Sequence, residues 1–206
     1  MFEKPEFLQR AILKVQEPTE PPKPLWKRGH DIILHVYYFD ELPKEVQQKV
    51  IDEHREINLS YEWWDFLTED YKERLSQIGV ECEHFFWSID RDRYFYMQKP
   101  YVSDDVKFLR SARVDLRRKD AKYMMNEGIK IQTHYYGGQY AKNYITTYDG
   151  EETELANILT EHLHSKFNEF LKELDEAYEY YSSDEAIAET LRINDFTFFD
   201  NGKPFK

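Results

Sequence analysis

Residues 90 to 93 read Asp-Arg-Asp-Arg, between the aromatic runs FFW at 85–87 and YFY at 94–96. Paired carboxylates are the raw material of acid–base or metal chemistry, which makes Asp90 and Asp92 the first candidates for a reactive pair. In a strand, alternation places these two on one face and Arg91 and Arg93 on the other. In a tight connection all four face water. No His-rich cluster lies near them in the sequence, so the pattern favours a solvated or ion-paired hairpin turn over a hydrolase site.

Other chemistry-bearing residues fail on spacing. His162 and His164 form H-L-H in a helical stretch. Two residues apart on a helix, they point nearly 200° apart and cannot share a metal in the way that spacings of four allow. His30, His35, His54, His84 and His134 are scattered singly. Cys82 is the one cysteine, so neither an internal disulfide nor a Cys-rich zinc site is available, and a reducing compartment suits the chain. Its neighbours Glu81 and Glu83 would raise the thiol pKa and make it a poor nucleophile. Gly137-Gly138 lies between aromatic runs with no Lys-Ser or Lys-Thr after it, which reads as a hairpin turn and not a phosphate loop.

Two charged stretches remain. The basic one holds Arg110, Arg113, Arg117, Arg118, Lys119 and Lys122. Read as one helix, it places Arg110, Arg113 and Arg117 on one face, with Arg118 and Lys122 at four-residue spacing beside them. Tyr94, Tyr96, Tyr101 and Tyr123 are candidate stacking partners, and basic residues with aromatic neighbours hold single-stranded nucleic acid. The same cations could equally pair with the acidic helix at 169–179. That helix carries Glu169, Glu173, Asp175, Glu176 and Glu179. It is either a solvated face or a mimic of nucleic-acid charge that docks in a basic groove.

The elements that must position these residues follow from periodicity and punctuation. PEFLQRAILKVQ at 5–16 has one apolar helical face, and EPTEPPKP at 17–24 is a stiff linker. DIILHVYYF at 31–39 reads as a strand. A helix follows, opened near Asp40 or Glu41 with Pro43 in its first turn, and a second spans 63–79 with Gly79 as its stop. Strands are expected at 84–89 and 93–98. One long helix is expected over about 104–126, capped by Ser103 and ended by Gly128. Strands at 129–136 and 140–149 follow, then a long helix at 151–181 with the stripe Leu155, Ile158, Leu159, Leu163, Phe167, Phe170, Leu174 and Tyr178. Ser183-Asp184-Glu185 restarts a short helix to about 193, and DFTFFDNGKPF ends the chain as a strand with an Asn-Gly turn.

Hairpins interspersed with helices imply an α+β fold, an antiparallel sheet of hairpins packed by several helices. The expected organisation is an N-terminal helical arm with its Pro-rich linker over 1–25 and one α+β domain over 26–206. The chain of 206 residues has a net charge of −12, of which residues 41–83 carry −7, 84–150 carry +4 and 151–206 carry −9. An acidic protein repels nucleic acid at long range and attracts basic partners. No run approaches the roughly 18 apolar residues of a membrane span, and the start carries acids and lacks an apolar signal core, which implies a soluble protein of the cytoplasm.

The segments VYYFDELPKEVQQKVIDEHREIN at 36–58, WWDFLTEDYKERLSQIGVE at 63–81 and AYEYYSSDEAIAETLRINDFTFFDNGK at 177–203 together resemble a widespread, poorly characterised family of bacteriophage proteins. The likeness covers about residues 34–203. Where that family carries a Gly-rich segment after its second helix, only FWS at 86–88 remains here, followed by IDRDR. The resemblance supplies no catalytic residues. Some members are labelled antitoxin-like, which implies protein binding. The expectation is a phage-encoded, non-catalytic inhibitor without cofactor or metal. It would act in the host cytoplasm on a host protein or ribonucleoprotein complex, as anti-CRISPR or toxin-neutralising proteins do, through Glu169, Glu173, Glu176 and Glu179. The alternative is an RNA-binding or single-stranded nucleic-acid-binding protein using Arg110, Arg113, Arg117, Arg118 and Lys122.

Overall fold

A computed structural model describes residues 34–91, 93–136, 140–147 and 153–205. The expected N-terminal helix and linker, Asp92 and the Gly137-Gly138 turn lie outside the described residues. In chain order the elements are β1 (Tyr37–Tyr38), a 3-10 turn (Phe39–Glu41), α1 (Lys44–Glu53), α2 (Asp65–Gln77), β2 (Val80–Glu81), β3 (His84–Ser88), β4 (Tyr94–Gln98) and β5 (Tyr101–Val102). They continue with α3 (Asp105–Ser111), α4 (Lys119–Glu127), β6 (Ile129–Tyr136), β7 (Tyr140–Thr147), α5 (Glu154–Tyr181), α6 (Asp184–Ile193) and β8 (Thr197–Phe198). The fold is α+β. Among the described residues its strands hydrogen-bond as four antiparallel pairs: β1 with β8, β2 with β5, β3 with β4, and β6 with β7. None of the described helices is long and apolar enough to cross a membrane.

Contacts divide the chain into two compact units. Among the described residues, the first joins 34–57 with 184–205. Its core is Phe39, Leu42, Val50 and Ile51 against Ile187, Ala188, Leu191 and Phe198. Pro43 stands at the N-cap of α1, where its missing N–H costs nothing. Arg192 donates to both carboxylate oxygens of Asp40 at 2.8 and 2.9 Å, and Arg55 bridges Asp52 and Asp184. The turn after β8 passes so close to α1 that a Cβ on Gly202 would sit 3.0 Å from Val46 and Val50, and its φ is +83°. Only glycine fits there without strain.

The second unit runs from Asn58 to Ser183 and is organised by α5. The Thr153 hydroxyl caps that helix, accepting from the Ala156 N–H at 3.0 Å. The expected stripe is buried at Leu155, Leu159, Leu163, Phe167, Phe170 and Leu174, whereas Ile158 and Tyr178 are exposed. The β3–β4 pairing sets Phe85 and Phe95 toward the helices. Tyr71 of α2 stacks on Phe170 with centroids 4.3 Å apart, and Phe95 meets Phe167 at 4.5 Å. Such ring pairs add to the area they bury.

The long helix expected over 104–126 is two helices. Asp104, not Ser103, caps α3 by accepting from the Lys107 N–H at 2.9 Å. The helix stops in a Schellman motif: Arg113 N–H reaches the Arg110 carbonyl at 2.9 Å and Val114 N–H the Leu109 carbonyl at 3.0 Å. Arg113 takes the left-handed position at φ +58°. No glycine or proline announces this stop, so the periodicity reads straight through it. The opening strand expected at 31–39 shrinks to Tyr37–Tyr38 among the described residues, because Phe39–Glu41 already coil into the 3-10 turn.

Candidate partner-binding surface

The residues singled out for chemistry are dispersed. Asp90 and Arg91 are exposed in the β3–β4 connection, where Asp90 N–H donates to the Ser88 hydroxyl at 3.2 Å. Arg93 turns away from them and pairs with Asp175 at 2.6 Å. His162 and His164 diverge as their spacing requires. His162 Nε2 lies 3.0 Å from the Ser111 hydroxyl and His164 Nε2 lies 2.8 Å from the Asn143 carbonyl. Burial lowers the pKa of both rings. Cys82 is half-buried beside α2, and burial pushes its thiol up to about 12 against the weaker pull of the Lys72 ammonium. The cause is desolvation, and not the adjacent glutamates as sequence suggests. Among the described residues, no three His, Cys, Asp or Glu side chains come together as a metal would need.

The basic stretch does not form one face. Arg110 is exposed on α3, Arg113 sits in the Schellman turn, and Lys122 is exposed on α4. Arg117 and Arg118 are held locally: Arg117 Nε is 3.1 Å from Asp115, and an Arg118 guanidinium nitrogen is 2.6 Å from Asp120. These pairs hold both carboxyls below their ordinary pKa. The acidic helix is paired not with this stretch but with α2 and with its own lysines. Arg74 of α2 grips Glu173 with two hydrogen bonds of 2.8 and 2.5 Å, Lys166 meets Glu169 at 2.8 Å, and Lys172 meets Glu176 at 3.4 Å. Of the four proposed glutamates, Glu179 alone carries no ion pair among the described residues.

Glu179 stands out for a second reason. Glu176 and Glu179 lie near the carbonyl end of α5, where the helix dipole is negative, and the last turn holds no basic residue. Anionic side chains are disfavoured at that end. Beside them Tyr178 is 43% exposed. Tyr178 and Tyr181 lean on the buried Trp63 ring, with centroids 6.0 and 5.9 Å away. Trp63 in turn meets the half-buried Trp64 and Trp87 edge-on at 5.6 and 6.4 Å. The buried Asn58 amide donates to the Tyr181 carbonyl at 3.0 Å and fixes the segment leading to Tyr61 against the helix end. Tyr61 is 54% exposed and near enough to Tyr181 to raise its phenol pKa, after burial. Tyr178 is thus exposed beside a tryptophan cluster and Tyr61 is exposed nearby, with Glu62, Glu176 and Glu179 within two residues of them in sequence.

Helical periodicity assigns Trp64 and Tyr178 to the core and passes over Tyr61. The available signal was the crowding of rings beside acids in YEWWD and AYEYY. No protein-family model, curated protein or solved structure matches the chain.

Proposed function

We propose that the protein is a non-catalytic inhibitor, encoded by a phage as the resemblance in its sequence implies. It docks the acidic, aromatic end of α5 on a basic surface of a host defence complex in the cytoplasm. The observation that carries this reading is the placement of Glu179, without an ion pair among the described residues and at the negative end of its helix, next to the exposed Tyr178. Such a carboxylate opposes helix stability. Its presence fits a role outside the fold, since sequences break local rules where function demands it. Exposed tyrosines next to carboxylates suit arginine- and lysine-rich surfaces, which they hold by cation–π contact and charge together. Glu173 ties α5 to α2 through Arg74, and Glu169 is engaged by Lys166 within α5, so the docking surface is centred toward the helix end.

The test compares the wild-type chain with Glu179→Lys and with Tyr61→Ala/Tyr178→Ala as bait in host lysate, followed by cleavage assays on any nuclease complex recovered. The reading expects one stoichiometric partner that is lost from both variants, is released by rising salt, and is inhibited by the wild type. Glu179→Lys should also melt slightly higher than wild type, because it reverses an unfavourable charge. Equal capture by wild type and variants would defeat the proposal.

A further inference from the structure

A groove of about 520 Å³ opens on another part of the same unit, between α5 and the strands β4, β6 and β7. That volume falls within the range of small-ligand sites. Phe95 and Phe167, in contact at 4.5 Å, form part of its apolar lining, and the rings of Tyr94 and Tyr136 line it with them. Two cations, Arg93 and Lys142, also line it. Lys142 is exposed and has no ion pair among the described residues. Arg93 spends one guanidinium nitrogen on Asp175, at 2.6 Å, and on the Leu171 carbonyl at 3.4 Å. A guanidinium has five N–H donors, so others remain.

His164 adds a directional group. Its Nε2 is 2.8 Å from the Asn143 carbonyl, which can only accept. Nε2 therefore carries the proton, and Nδ1 is left as an acceptor. The exposed Asn168 amide, also in the lining, offers both a donor and an acceptor. The groove thus combines flat aromatic walls, two cations and mixed hydrogen-bonding groups.

We infer that this groove binds a nucleotide. The base lies against Tyr94 and Tyr136, and the phosphate is held by Lys142 and Arg93. Aromatic faces stack on any base, which is the sequence-tolerant mode of single-strand recognition. A phosphate monoester bears nearly two negative charges at neutral pH and matches two cations better than a single carboxylate does. The occupant is either a free mononucleotide or the 5′-phosphorylated end of a single strand, and the two share this chemistry. The site lies on residues other than the acidic patch at the end of α5, so it does not rest on the function proposed above.

The test is calorimetric titration of the whole chain with AMP, adenosine, inorganic phosphate and a 5′-phosphorylated trinucleotide. AMP should bind at least about tenfold more tightly than adenosine or phosphate alone, because each lacks one half of the recognition. Lys142→Glu should weaken AMP by about tenfold or more while leaving adenosine unchanged. Asn168→Trp, at an exposed helix position, should block the groove to both. Glu179→Lys should leave every titration as in wild type, which separates this site from the docking surface. Tighter binding of the trinucleotide assigns the strand end, and equal binding assigns the free nucleotide; both support the site. No saturation by AMP at millimolar concentration overturns it, as does equal affinity for AMP and phosphate, or full AMP affinity in Asn168→Trp with the fold intact by circular dichroism.

Discussion

The side-chain amide of Asn143 closes two hydrogen bonds on the backbone of Met97. Its Oδ1 accepts from the Met97 N–H at 2.7 Å, and its Nδ2 donates to the Met97 carbonyl at 3.1 Å. Asn143 is on β7 and Met97 on β4, so one amide side chain does between two hairpins what a strand does within one. Both residues are fully buried. Nδ2 also donates to the Thr133 hydroxyl at 2.9 Å, which itself reaches the Met97 carbonyl at 3.3 Å.

Asn143→Ala should therefore be costly. It strands a buried N–H and weakens the bonding of a buried carbonyl, each worth about 1–3 kcal/mol when left without a partner. The expected loss is about 2–4 kcal/mol in a urea titration. An unchanged midpoint would mean that the hairpins are held by side-chain packing alone.

Much of the architecture could be read in advance because it is local. The α5 stripe from Leu155 to Leu174 recurs at three and four, and the β3–β4 and β6–β7 pairs are long enough to show period and turn. What escaped is short or non-local. The β1–β8 and β2–β5 pairs have two residues per strand, too few for a period. Asn143 reads as an ordinary polar residue of a hairpin until β4 is beside it. The aromatic patch draws Tyr61, Trp87 and Tyr178 from three segments, and no spacing rule connects them.

Arg113 should be a removable strain. A left-handed conformation costs a residue with a Cβ about 1–2 kcal/mol, and glycine pays little of that. Arg113→Gly should raise stability by about 0.5–1 kcal/mol after its greater unfolded-state entropy is deducted. Thermal unfolding of the single variant measures this, and destabilisation would show that the Arg113 side chain makes contacts worth more than the strain.

The two histidines of α5 should make stability fall on mild acidification. Burial lowers both pKa values in the folded state, so the unfolded chain binds more protons once the pH drops below the ordinary histidine value of about 6.5. Stability is expected to be level above about pH 7 and to decline through the range from 6.5 toward the lowered folded values. His162→Gln/His164→Gln should flatten that decline in melting temperatures recorded between pH 7.5 and 5.5. An unaltered slope would transfer the effect to other groups.

Cys82 should resist thiol reagents in the native protein. With its pKa pushed up to about 12, almost no thiolate is present at pH 8. A disulfide-exchange reagent should react slowly with the folded chain and rapidly in guanidinium chloride. Fast modification under native conditions would show that the segment around β2 opens readily.

The pairing of Tyr37 with Phe198 has a temporal meaning as well as a spatial one. A ribosome delivers residues 34–57 early, yet among the described residues much of the apolar cover of Phe39, Val50 and Ile51 comes from Ile187, Leu191 and Phe198. The segment between them has its own core and can settle while the chain is still being made, as domains commonly do. The first unit cannot. It is completed when the residues after Asp184 arrive, and until then its opening helix is an exposed apolar surface. A chain interrupted before residue 184 would keep α5 whole and leave that surface open to chaperones and proteases.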